Sequence, residues 1–201
     1  MWRKKGKGAT VIERAGLFLG TVLIIISTFQ PLWGMTLIAP QYPEGLRVEI
    51  FTKAIKGNLD IINTLNHYVG MKDLDNMSFP ELKYMTALLL ALAALFFLSA
   101  VIGRLWMVAA TMGISAVVGI AGVYDLYHKL YNYGHNLDPR APIKLSGGFT
   151  PPVIGQNQLA NFHTYSYFLS GSYLIIASGL IGVWVLWQLA RRSRRSVQPS
   201  S

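Results

Sequence analysis

The chain has 201 residues, no cysteine, a mean hydropathy of +0.38 and 52% hydrophobic residues against 13% charged ones. So small a charged share, about half that of a soluble domain, places it among membrane proteins. The absence of thiols excludes disulfides, thiolate metal sites, cysteine nucleophiles and thioether-linked haem.

Residues 1–14 form a basic tail, with Arg3, Lys4, Lys5, Lys7 and Arg14 against Glu13 alone. A charge-free run over residues 15–38 is long enough for a helix to cross about 30 Å of hydrocarbon. It ends in Gln30-Pro31-Leu32-Trp33-Gly34-Met35 and carries no small-x-small cleavage site, so a retained first span is expected rather than a signal peptide. Pro31 should kink or end that helix.

A first long loop, residues 39–81, follows. Within it, Arg47 to Phe51 alternates polar and apolar residues and suggests a short strand. Residues 58–71 read as an amphipathic helix. Leu59, Ile62, Leu65 and Val69 mark one face, and Asn63, His67 and Met71 mark another at four-residue steps. Ser78, Pro80 and Glu81 have the spacing of a helix start.

Spans are expected over residues 82–102 and 105–127, joined by the short Gly103-Arg104 turn as an antiparallel hairpin. Small residues Gly16, Gly20, Ala109, Gly113, Gly119 and Gly122 allow close helix approach. A second long loop, residues 128–167, begins with tyrosines around Asp125, His128 and His135. It continues through turn-rich Gly134 to Pro142 and Ser146 to Pro152, and Asn161-Phe162-His163-Thr164-Tyr165 leads into a last span over 168–189. Residues 191–201 form a second basic tail. The expected fold class is therefore all-α: a four-helix transmembrane bundle with two ordered extracytoplasmic loops.

Charge supplies the orientation. Arg3, Lys4, Lys5, Lys7, Arg14, Arg104, Arg191, Arg192, Arg194 and Arg195 are more than half of the 18 basic residues, and the segments that carry them hold only Glu13 of the nine acidic ones. The positive-inside rule then puts both termini in the cytoplasm of a bacterial inner membrane and both long loops outside. The net charge of +9 is a topology signal, and no nucleic-acid partner is expected.

No phosphate-cradling glycine loop, serine elbow or two-histidine zinc helix is present, and no enzymatic activity is expected. His67, His128, His135 and His163 all fall in the outer loops or at their membrane edges, against a transmembrane di-haem arrangement. No ionisable residue lies deep in any expected span, which disfavours a pump or coupled transporter. What remains is a set of loop donors: His67, Met71, His135, His163 and Met77, with Asp60, Asp125 and Asp138. Imidazole with thioether suits copper(I). The same residues are equally compatible with plain packing and turn formation, and Asp125 with His128 reads most simply as a helix-end salt bridge.

Three stretches carry a resemblance: Ala39-Pro40-Gln41-Tyr42-Pro43-Glu44-Gly45-Leu46, Asn63-Thr64-Leu65-Asn66-His67-Tyr68-Val69-Gly70-Met71 and Tyr133-Gly134-His135-Asn136-Leu137-Asp138-Pro139. Pro151 to Gly155 and Asn161-Phe162 fit as well. Together they resemble the NosB-like small four-span membrane proteins encoded beside nitrous oxide reductase and its copper-maturation factors. The resemblance implies an accessory role in copper delivery to, or maturation of, an extracytoplasmic cuproenzyme, with weight on His67, Met71 and His135. The alternative is a non-catalytic structural subunit of a larger respiratory or oxidase-type membrane complex.

Overall fold

The computed structural model describes residues 8–75, 79–142, 149–159 and 162–195. Its element order is α1 (Val11–Ser27), β1 (Trp33–Ala39), β2 (Tyr42–Ile50), β3 (Ile55–Gly57), α2 (Leu59–Val69), α3 (Leu82–Ile102), α4 (Leu105–His135), β4 (Gly155–Leu159), β5 (Phe162–Phe168) and α5 (Ser170–Arg195). The all-α, four-helix expectation is overturned. The strands form one five-stranded antiparallel sheet in the order β3-β2-β1-β5-β4. Among the described residues, three helices, α3, α4 and α5, are long and apolar enough to cross a membrane.

The difference begins at the first apolar run. Thr10 caps α1 through a complete capping box with Glu13, and the helix stops at Ser27, short of the proline. At 17 residues it is only about 25 Å long. Trp33 to Ala39, expected to finish a span, instead runs as the central strand. Trp33 lies opposite Ile50 and Phe168, Met35 opposite Val48 and Ser166, and Leu37 opposite Leu46 and Thr164. With Thr36 as the one polar side chain of its seven residues, the strand shows too weak a period-2 signature, so hydropathy alone reads it as more helix.

One sheet face packs on α2. Leu46, Val48, Ile55, Ile62 and Leu82 form the buried cluster, with Leu37, Leu59, Leu65 and Phe79 against it. The apolar face expected for residues 58–71 is therefore the face that α2 buries. The opposite sheet face carries Thr36 and Tyr167, whose hydroxyls lie 3.0 Å apart, beside exposed Arg47 and Tyr165.

Beneath the sheet, α1, α3, α4 and α5 share a second core of Leu17, Ile24, Leu92, Phe96, Val108, Val185 and Leu189. A Cβ on Gly20 would meet the Phe96 ring at 2.9 Å, and one on Gly16 would meet Ile181 at 3.3 Å. The first small-residue pair thus brings helices together as expected. Gly113, Gly119 and Gly122 do not: a Cβ on any of them meets nothing within 4 Å.

The end of the bundle away from the sheet is tied by polar contacts. Ala9 N–H donates to the Gly103 carbonyl (2.7 Å), and Arg14 donates to the Val101 carbonyl at the C-terminus of α3 (2.9 Å), where a cation complements the helix dipole. Glu13 on α1 pairs with Arg192 on α5.

At the sheet end, Glu81 precedes α3. Its expected partner in a helix-start motif, Ser78, lies outside the described residues. The Glu81 side chain makes no cap bond and pairs instead with Lys129 on α4 at 2.6 Å. Burial raises the pKa of this carboxyl, but the hydrogen bond and charge of the Lys129 ammonium outweigh it and hold Glu81 below its ordinary value of 4.5. A depressed carboxylate stabilises the fold above its unfolded pKa, and that contribution disappears as pH falls through the folded one. Both side chains are about a third exposed or slightly less, so the contribution is at most about 1 kcal/mol. Melting in detergent from about pH 7 down to about pH 3 should show a small acid-limb loss that Lys129→Ala removes. An unchanged acid limb in that variant would show the pair to be energetically silent.

Candidate functional site

The two outer loops meet where α2 and α4 end. Helix α2 stops at Val69, and Gly70 adopts the left-handed conformation (φ 78°) with Met71 N–H donating back to the Asn66 carbonyl at 2.9 Å. This turn takes Met71 off the helical face shared by Asn63 and His67, contrary to the four-residue spacing read from sequence. A side chain at Gly70 would be strained in that region, and its Cβ would also press on Asp138 N and O at 2.9 Å. The close approach is used: Asp138 N–H donates to the Gly70 carbonyl at 2.8 Å.

Two asparagines fix the segment after the turn. Asn63 accepts from Leu74 N–H (2.7 Å) and donates to the Leu74 carbonyl (3.3 Å). Asn66 is buried and donates to the Lys72 carbonyl (3.4 Å) and the Tyr133 hydroxyl (3.1 Å), tying α2 to α4. The four-residue step from Asn63 to His67 suggested a ligand face. The actual work of the two asparagines is to satisfy backbone groups that would otherwise be left without partners.

Between these walls lies a solvent-open cleft of about 530 Å³, lined by His67, Gly70, Met71, Lys72, Asp73, Asn136, Leu137, Asp138, Arg140, Ala141 and Pro142. His67 and Met71 therefore share one cavity, although not one helical face. Asp138 lines it too, its carboxylate accepting from Arg140 N–H at 2.8 Å in a local turn of the kind expected for Asp before proline.

His135 sits just outside the lining, next to Asn136. Its ring stacks on Tyr131 (4.0 Å between centroids), and Nδ1 lies 3.0 Å from the Tyr131 carbonyl. A carbonyl only accepts, so in this contact Nδ1 is the donor. Nε2 is then the ring nitrogen through which this histidine would ligate a metal.

The other candidates are elsewhere. His128 stacks on Tyr124 and its Nε2 lies 2.8 Å from Asn132 Nδ2. Helix α4 runs on to His135, so His128 is not at a helix end, and among the described residues no ion pair joins it to Asp125. His163 is exposed on β5 between Phe162 and the buried Thr164, and Asp60 lies in the first turn of α2. Met77 lies outside the described residues. Among the described residues, no three His, Cys, Asp or Glu side chains group as a cation cage, so a metal held in the cleft would depend on the thioether.

No protein-family model matches the chain, and no curated protein matches it.

Proposed function

We propose that this protein is a membrane-embedded accessory factor that holds copper(I) in the cleft between the outer loops and passes it to an extracytoplasmic cuproenzyme. The observation that carries this reading is that His67 and Met71, one imidazole and one thioether, line the same open cavity. The thioether is the soft donor that favours copper(I), while imidazole serves copper as readily as zinc. A site with few protein donors, open to solvent, suits a carrier that must release its cargo. His135, with Nε2 available at the edge of the cleft, is the position through which copper would enter or leave. The resemblance to NosB-like proteins points to a client of the nitrous-oxide-reductase type. The basic residues at the end away from the sheet support a bacterial cytoplasmic membrane location, with both chain ends on the cytoplasmic side and the cleft outside.

A second reading, a non-catalytic subunit of a larger respiratory or oxidase-type membrane complex, is favoured by one feature. The middle of α4 is uncovered: Val117 and Ile120 are exposed, and Gly113, Gly119 and Gly122 leave room for a neighbouring helix.

Metal content and copper(I) affinity of the detergent-purified protein separate the two. The expected result is one copper per chain in the wild type and none in the His67→Ala/Met71→Ala variant, with an unchanged melting temperature of the cap, the unit formed by the sheet, α2 and the outer loops. Equal copper in both would end the assignment to these residues. No copper in either would leave the subunit reading.

A further inference from the structure

The end of the bundle away from the sheet holds more cation than the protein itself neutralises. Glu13 is the only acidic residue in the segments that meet there, and Arg192 takes it. Arg14 is committed to the carbonyls of Ala9 and Val101. Arg104, in the turn between α3 and α4, and Arg191 and Arg194, at the end of α5, are all exposed. Among the described residues none of the three has an ion-pair partner.

These arginines do not stand alone. Trp106 follows Arg104 by two residues, and Trp187 precedes Arg191 by one turn; both indoles are more than half exposed. The Arg191 guanidinium lies over the Trp187 ring, 5.0 Å from its centroid. Along both helices the order from the bundle outward is apolar helix, indole, guanidinium. That order matches the layers of a leaflet: acyl chain, interfacial boundary, phosphate. Guanidinium groups pair with phosphate oxygens in a bidentate fork geometry.

We propose that this end of the bundle binds the phosphates of anionic phospholipid headgroups, with Arg104, Arg191 and Arg194 as the cations and Trp187 as the platform that orients Arg191. Charge complementarity selects this occupant. Three exposed cations without internal counter-charge, set at headgroup level on helices able to cross a membrane, match a surface that presents phosphate at that depth and carries net negative charge. A zwitterionic headgroup presents the same phosphate with a compensating ammonium, so net charge should decide the preference.

The test is native mass spectrometry of the full chain released from micelles containing phosphatidylglycerol or phosphatidylcholine with identical acyl chains. The wild type should retain phosphatidylglycerol preferentially. Each basic residue near an anionic surface is worth about fivefold in affinity, so the Arg104→Gln/Arg191→Gln/Arg194→Gln variant should lose most of that preference. An Arg47→Gln/Lys53→Gln/Lys56→Gln variant, which removes the same charge at the sheet end, should keep it. Equal retention of the two lipids by the wild type overturns the proposal without reference to any variant. So does an undiminished preference in the triple-arginine variant, or an equal loss in the sheet-end control.

Discussion

Gly134→Ala is expected to destabilise the cap by about 3 kcal/mol, at the upper end of what forcing one extra methyl into a packed site costs. The direction is informative because helix propensity predicts the reverse. Gly134 lies within α4, and alanine for glycine in a helix interior is worth about 1 kcal/mol of added stability. The obstacle is backbone. A Cβ at Gly134 would coincide with the Phe149 carbonyl, and Phe149 N–H donates to the Gly134 carbonyl at 2.9 Å. No rotamer change relieves that contact, so the segment from Phe149 to Val153 must lift away. Trp33 reports the event, because its buried indole donates to the Val153 carbonyl at 2.7 Å. Unfolding in detergent, followed by tryptophan emission, should show a lower midpoint and a red-shifted native baseline. Gly122→Ala, where a Cβ meets nothing, should be neutral or slightly stabilising. Equal behaviour of the two variants would refute the close approach at Gly134.

Arg192→Ala should have an effect of similar size at the other end of the molecule. The Glu13 side chain is 5% exposed and the Arg192 side chain 31%. Removing the arginine leaves a carboxylate out of water with its countercharge gone, which costs about 3 kcal/mol, near the low end for a buried pair because the arginine is partly solvated. Glu13→Gln should cost less, since an amide oxygen still accepts from Thr10 N–H, now at 2.8 Å from Glu13 Oε2. A double-mutant cycle in detergent unfolding isolates the coupling. A coupling under about 0.5 kcal/mol would mean that the pair behaves as a surface contact.

The helices were largely legible in the sequence. The expected span over residues 82–102 coincides with α3, because an uninterrupted apolar run bounded by Glu81 and Gly103 leaves little choice. Helix α4 starts at Leu105 as expected but continues to His135. Its last turns are rich in tyrosine and charge, so hydropathy faded where the helix did not. The sheet was not legible. Its strands were hidden in three ways: β1 inside an apolar run read as helix, β2 in part under the short alternation read at Arg47 to Phe51, and β4 and β5 in what was read as the second long loop leading into the last span. The pairing that joins them is non-local, with β1 against β5, and no local pattern encodes it. Of the cleft lining, His67 and Met71 had been singled out by residue type and spacing, whereas their sharing one cleft depends on Gly70 and Asp138. What mattered at those two positions was backbone approach, a property that residue chemistry does not announce.

The sheet order also sets a timetable. Strands β1, β2 and β3 follow the first helix directly, but β1 lies at the centre of the sheet, and its second neighbour is β5, which immediately precedes the last helix. During synthesis the β1–β2–β3 hairpins can form early, while the other edge of β1 waits for roughly the last quarter of the chain. Contacts of such high sequence separation are slow to form because loop closure precedes any gain. Until Trp33 finds Phe168, the nascent protein carries an open strand edge of the kind that invites mispairing. The cap therefore closes last, and closing it joins the first helix to the last.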